Sequence, residues 1–173
     1  ARLHPEVTLQ LATDPRRYSL GRREADLAFR FLRFEQLDVV QRRLGQVEFG
    51  LYASPDYLEA AGLPDFTSSL STHSIVSQTV ELPHVPDVHW LREIAPEARV
   101  AVQTNSGDAT LRAAESGAGL VVLPRYVGDA SVRLVRLDPP RPPPLRPIWL
   151  GVHKDMQHVP RIRAFIEFAV SAI

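Results

Sequence analysis

The sequence predicts an α/β fold in two lobes joined by a hinge, with a cleft between them. Three observations predict it. Two stretches read as strand–helix–strand units, the arrangement that builds parallel sheets. Two separate extended segments, 46–53 and 148–152, give two crossings between those units. A final amphipathic helix closes the chain.

Taken in order, Val7, Leu9 and Leu11 alternate with Thr8 and Gln10, the period of a strand. Thr13, Asp14 and Pro15 read as a helix start. Tyr18, Leu20 and residues 21–24 make a short polar helix or turn, and residues 25–31 (ADLAFRF) suit a buried strand. Leu44, Val47, Phe49 and Leu51 include a further alternating run. It stops at Ser54 and Pro55, a good N-cap followed by a good first helical residue. Gly62 and Pro64 end that helix. Residues 75–80 are a β-branched run, and 82–88, with Pro83 and Pro86, read as loop.

The second unit is the clearest. Val100 and Val102 alternate with Ala101 and Gln103, Leu111 and Ala114 lie at helical spacing within 107–116, Gly117 and Gly119 close the helix, and 120–123 is a short buried strand ended by Pro124. The run PPRPPPLRP over 139–147 excludes helix and central strand and reads as a semi-rigid connector rather than a docking peptide. Ile148, Leu150 and Val152 form a strand. Pro160 opens a helix whose Ile162, Phe165, Ile166, Ala169 and Ile173 share one face.

Composition narrows the function. The chain has 173 residues, 20 basic and 20 acidic, for a formal net charge of +0. That argues against this segment gripping nucleic acid by itself, because phosphate binding needs a clustered positive surplus. With 0 cysteines, a disulfide framework and a thiolate metal site are excluded. Lys154 is the only lysine, so nearly all positive charge is arginine, whose planar fork matches a carboxylate. No apolar run approaches membrane-spanning length, and no signal peptide is visible.

Ligands of open α/β sheets bind outside the carboxyl ends of the strands, next to helix N-termini. Here those ends carry Thr13 and Asp14, Arg30 and Phe31, and Thr104, Asn105 and Ser106. They point to a cleft for a small anion. Each residue also has a plainer role: Arg30 in a structural ion pair, Phe31 in the core, Ser106 as a helix cap. His84, Asp87 and His89 invite a zinc site, but a proline-containing loop without helical spacing or cysteine is a poor ligand set, and no metal is expected. Gly117-Ala118-Gly119 closes a helix before a strand, so it is no dinucleotide fingerprint, and no cofactor is expected. No nucleophile elbow is present, and no enzyme activity is expected.

The segments HPEVTLQLAT, GRREADLAFRF, GLYASPDYLEAAGLP, VQTNSGDATLRAAESGAGLVVLPRYVGD and PRIRAFIEFAV occur in an order and at a spacing that resemble the effector-binding domain of LysR-type transcription regulators. The resemblance covers nearly the whole chain. It implies a two-lobed fold of the type II periplasmic-binding-protein kind, with residues 1–53 plus 148–173 as lobe I and 54–147 as lobe II. It also implies an inducer in the interlobe cleft and a homodimer or homotetramer paired side by side. DNA is then bound only through an N-terminal winged helix-turn-helix that this chain lacks, in a cytoplasmic protein without membrane contact. Against the family pattern, the domain's first strand and helix are missing. By matching positions, Thr13, Asp14, Phe29, Arg30, Phe31, Asn105, Ser106, Leu123 and Pro124 are candidate effector contacts. The alternative readings are a solute-binding protein of a transport system and, more distantly, an enzyme using the same cleft.

Overall fold

Residues 5–13, 19–79 and 85–172 are described by a computed structural model, whose chain divides into two units. Unit 1 comprises 1–46 and 147–173, and unit 2 comprises 47–146. The strands are β1 (Leu27–Arg30), β2 (Val39–Val47), β3 (Phe49–Ala53), β4 (Ser74–Gln78), β5 (Arg99–Thr104), β6 (Leu120–Pro124), β7 (Val135–Leu137) and β8 (Arg146–His153). The helices are α1 (Pro55–Ala61), α2 (Pro86–Ile94), α3 (Gly107–Glu115), α4 (Arg125–Gly128) and α5 (Pro160–Ser171).

In unit 1 the sheet order is β1-β8-β2. β1 runs antiparallel to β8, with Leu27 opposite Val152 and Arg30 opposite Trp149. The parallel pairing expected around residues 25–31 is therefore corrected. The strand expected over 7–11 is also absent: those residues belong to no helix or strand, and Leu11 is 82 % exposed. An alternating pattern makes a strand only where a neighbouring strand accepts its hydrogen bonds, and none of the described strands lies beside it. The helix start expected at Asp14 and Pro15 lies outside the described residues. Leu20, Phe34 and Val39 form a small core with Ala28 and Trp149 against it. The Phe34 ring covers Gly151, where a Cβ would stand 2.4 Å from the ring. The Gln41 amide accepts from the Phe34 N–H at 2.9 Å and donates to its carbonyl at 2.9 Å, replacing a ladder pair at the sheet's end.

Unit 2 holds a five-stranded sheet in the order β5-β4-β6-β3-β7. β4 runs parallel to both β5 and β6, while β3 runs antiparallel to β6 and β7. β3 therefore lies inside this sheet, and the single extended segment expected over 46–53 is two strands in two sheets. All five residues of β3 are buried, and so are Leu120, Val121, Val122 and Leu123 of β6. A central strand covered on both faces needs apolar residues at every position, which FGLYA and LVVL provide.

Local signals explain the helices. Ser54 accepts from the Tyr57 N–H at 3.2 Å and Pro55 opens α1. Gly62 ends α1 at φ +83, a left-handed conformation that favours glycine. Residues 86–88, expected as loop, begin α2. Pro86 sits at its first turn, where a missing N–H costs nothing, and Val88 and Leu91 turn inward one helical turn apart. α4 and β7 were not expected; at four and three residues each is too short to show a periodicity. The proline run bends at 140–141, and its last two residues, Arg146 and Pro147, open β8, the middle strand of the β1-β8-β2 sheet. The exclusion of central strand over 139–147 is corrected there, because a strand's first residues tolerate a missing N–H.

The Tyr52 ring, on β3, sits in a slot made by two glycines. A Cβ at Gly50 would lie 2.7 Å from the ring and one at Gly128 2.3 Å from it. The Tyr52 hydroxyl donates to Asp129 at 2.7 Å, and Asp129 also accepts from Arg125 and Arg136. Burial first, then the hydrogen bond to Asp129, pushes the Tyr52 phenol up to about 12. Gly128→Ala is expected to cost about 1–3 kcal/mol through overpacking. Gly107→Ala, where a Cβ meets nothing within 4 Å, should change stability by less than about 0.5 kcal/mol. Urea unfolding midpoints of the two variants check this contrast.

His73 is buried beside Tyr57, with the Tyr57 hydroxyl 3.0 Å from its Nδ1. Burial lowers the His73 pKa below its ordinary 6.5, so as pH falls the unfolded chain takes up this proton first. The contribution to stability is complete above about pH 6.5 and is lost as pH falls through the folded-state value. His73→Gln is expected to flatten the dependence of the urea midpoint between about pH 7.5 and pH 5.5. An unchanged slope would show that another group controls it.

Candidate functional site

The most built part of unit 2 lies where its parallel strands end. β5 finishes at Thr104, and a two-residue turn leads into α3. Thr104 Oγ1 accepts from the Ser106 N–H at 3.1 Å. Ser106 Oγ accepts from the Ala109 N–H at 3.3 Å, and the Ser106 carbonyl accepts from the N–H and hydroxyl of Thr110, each at 2.9 Å. Ser106 thus acts as the N-cap. Among the described residues, no protein group accepts from the N–H groups of Gly107 and Asp108. Both residues are exposed. Two free N–H groups at the positive end of a helix dipole attract an anion, while the Asp108 carboxylate in the same turn opposes one.

Beside this turn is a recess of about 230 Å³, including its open mouth, lined by Val76, Ser77, Gln78, Asp87, Val88, Leu91, Thr110 and Val122. Strands β4 and β6 form its floor, and α2 and α3 its walls. Asp87 is 3 % exposed and accepts from Arg146 at 2.9 Å through Oδ1. Arg146 also lies over the Phe49 ring, 5.7 Å from its centre. Burial pulls the Arg146 guanidinium below its ordinary value, and the Asp87 charge works against that.

The residues expected to contact an effector have different surroundings. Thr13 is exposed and belongs to no helix or strand, and Asp14 lies outside the described residues. Phe29 is 45 % exposed, its ring edge-on to Phe165 at 6.2 Å. Arg30 lays its guanidinium over the Phe34 ring at 4.6 Å, and Phe31, just after β1, is half-buried. Asn105 and Ser106 are exposed at the start of α3. Leu123 is 3 % exposed and packs in the core with Tyr52, Val76 and Ala114, so its side chain fills the interior. Pro124 closes β6 opposite Phe49.

Ser77, Thr110 and Arg146 were not expected at a site, and Asp87 was expected only as a poor metal ligand. Proline followed by aspartate, with apolar residues three apart, was the available signal for a helix start. It identifies α2 but not the recess, which depends on the tertiary approach of α3. His84, the other histidine of the zinc reading, lies outside the described residues. Among the described residues no group of three or more His, Asp or Glu is placed to hold a metal ion.

The family model described as the LysR substrate binding domain matches residues 1–173. Among curated proteins, an uncharacterised HTH-type transcriptional regulator of Haemophilus influenzae is 28 % identical over 129 residues, covering 72 % of this chain and 44 % of that protein. The chain spans about half the length of the curated relatives it matches. Among solved structures, the regulatory domain of the C227S variant of AphB from Vibrio vulnificus superposes with a TM-score of 0.73 at 22 % identity, covering 98 % of this chain and 87 % of that one. The CcmR regulatory domain of Synechocystis PCC6803, in complex with 2-PG, superposes with a TM-score of 0.66 at 16 % identity, covering 88 % of this chain and 76 % of that one. The fold is that of LysR regulatory domains, and with the family model matched over its full length this chain belongs to the LysR substrate binding domain family.

Proposed function

We propose that this chain is the effector-sensing part of a DNA-binding transcription regulator, and that its effector is a small anion received at the start of α3. The observation that carries this is the pair of unpartnered N–H groups of Gly107 and Asp108, at the carboxyl end of a parallel strand and beside a polar recess. The ligand-bound neighbour and the HTH-type relative support the same reading. Asn105 and Ser106 shape the anion's turn. Thr13, Asp14, Phe29, Arg30, Phe31, Leu123 and Pro124 are carried as effector contacts by the family resemblance alone. DNA is contacted by a winged helix-turn-helix elsewhere in the same polypeptide, in the cytoplasm, as a homodimer or homotetramer. The chain senses rather than catalyses: an effector alters DNA binding by favouring one arrangement of the protein over another. No described helix is long and apolar enough to cross a membrane.

Titration with propionate, followed by amide resonances, is expected to move Asn105, Gly107 and Asp108. Asp108→Asn removes a like charge from the first turn and should tighten propionate about two- to fivefold, the value of one charge at a helix end. Unmoved resonances, or an indifferent Asp108→Asn variant, would overturn the anion site. For the regulator, the native gene product isolated whole is expected to retard DNA flanking its own gene. A product that retards no DNA sinks that part of the proposal. Light scattering of the same product should give at least a dimer's mass, and a strictly monomeric mass at high concentration counts against the assembly.

A further inference from the structure

An anion alone does not account for the recess beside α3. Its buried wall carries a carboxylate, Asp87, and two hydroxyls, those of Ser77 and Thr110, each no more than 3 % exposed as residues. These groups are not equally engaged. The Thr110 hydroxyl donates to the Ser106 carbonyl at 2.9 Å. Asp87 gives Oδ1 to Arg146, and among the described residues its Oδ2 takes no hydrogen bond. Among the described residues the Ser77 hydroxyl has one long contact, donating to the Gln78 carbonyl at 3.4 Å. Across the whole recess the space open to the centre of a water-sized group is about 10 Å³, which holds one such polar group and no more. A carboxylate there would meet Asp87 in a low-dielectric wall. An ammonium or hydroxyl would find a charged acceptor with a spare oxygen and a hydroxyl free to turn toward it.

We propose that the recess between α2 and α3 is a subsite for a hydrogen-bond donor, an ammonium or hydroxyl group, with Asp87 as acceptor and Ser77 beside it. Joined to the anion site at the start of α3, it restricts the effector class to small carboxylates that bear a donor, such as amino acids and hydroxy acids. That restriction rests on the anion reading above; the donor subsite does not. Asp87 and Ser77 are then specificity-determining residues, discriminating against simple carboxylates that would leave the buried acceptor unpaired.

The test uses this chain and three probes, followed by amide resonances at constant ionic strength with tetramethylammonium chloride as the salt. Methylammonium carries only the donor, propionate only the carboxylate, and β-alanine both on a matched carbon skeleton. Methylammonium is expected to shift Ser77, Asp87 and Thr110, and β-alanine to bind about tenfold tighter than propionate, the worth of one charge-assisted hydrogen bond. Asp87→Asn should remove the methylammonium shifts. Because that change also disturbs the pair with Arg146, Ser77→Ala, which leaves the pair intact, is the second variant and should weaken methylammonium severalfold while leaving propionate unchanged. Methylammonium shifts that are absent, or that persist undiminished in both variants, overturn the donor subsite whatever propionate does. Propionate that leaves Asn105, Gly107 and Asp108 unmoved overturns the anion reading alone, and with it the restriction to carboxylates.

Discussion

The order of unit 2 depends on one large side chain of β3 finding room against its sheet. β3 is buried at all five positions, so it has no polar face to spare, yet Tyr52 carries a hydroxyl that must be satisfied. The ring lies flat along its own face of the sheet, over Gly50 two residues back in the strand, and it has room there only because Gly50 and Gly128 carry no side chain. At the end of that slot Asp129 accepts its proton donor and gathers Arg125 and Arg136, and Arg125 in turn reaches Glu48. One aromatic residue thereby fastens β3 to α4 and β7. Hydrogen bonding to Tyr52, with help from Arg125, holds the Asp129 carboxyl below the ordinary carboxylate range. The exposed ion pairs around it contribute little individually; their role is to orient the acceptor that makes burial of the phenol tolerable.

A second constraint shapes the site. Burying a carboxylate costs several kcal/mol unless a charge faces it, and Asp87 is faced by Arg146 from the first residue of β8. The pair fixes the first turn of α2 against unit 2 at the point where the chain leaves it. Helix α3 is held differently, by a serine cap and a threonine that folds back on the same carbonyl. Two helices thus flank one recess with opposite electrostatics, free N–H groups on one side and a carboxylate on the other.

Much of this was legible in the sequence, and its limits have physical causes. Ser54-Pro55 and Ser106-Gly107 declared helix starts because capping is a local interaction between residues three apart. The buried strand at 120–123 was visible because double burial removes polar residues from the pattern. The run at 7–11 misled because alternation records two faces without naming a neighbour. The segment 46–53 misled because β2 and β3 are nearly continuous in sequence, while their sheets are chosen by tertiary pairing. Gly50 and Gly128, far apart in the chain, could not announce a common slot.

The same distinction explains which parts of the candidate site could be anticipated. Asn105 and Ser106 stood out because a strand followed by a capped helix is a local motif with a known affinity for anions. Asp87 did not, because in a stretch with two prolines it read as part of a loop, and between two histidines only as a poor metal ligand. Its meaning changes only when Arg146, 59 residues away, is seen to engage one oxygen in a buried setting. A chain of formal net charge +0 can therefore hold strongly polarised ground, with the sign of each region set by which partner occupies each oxygen and which N–H is left without one.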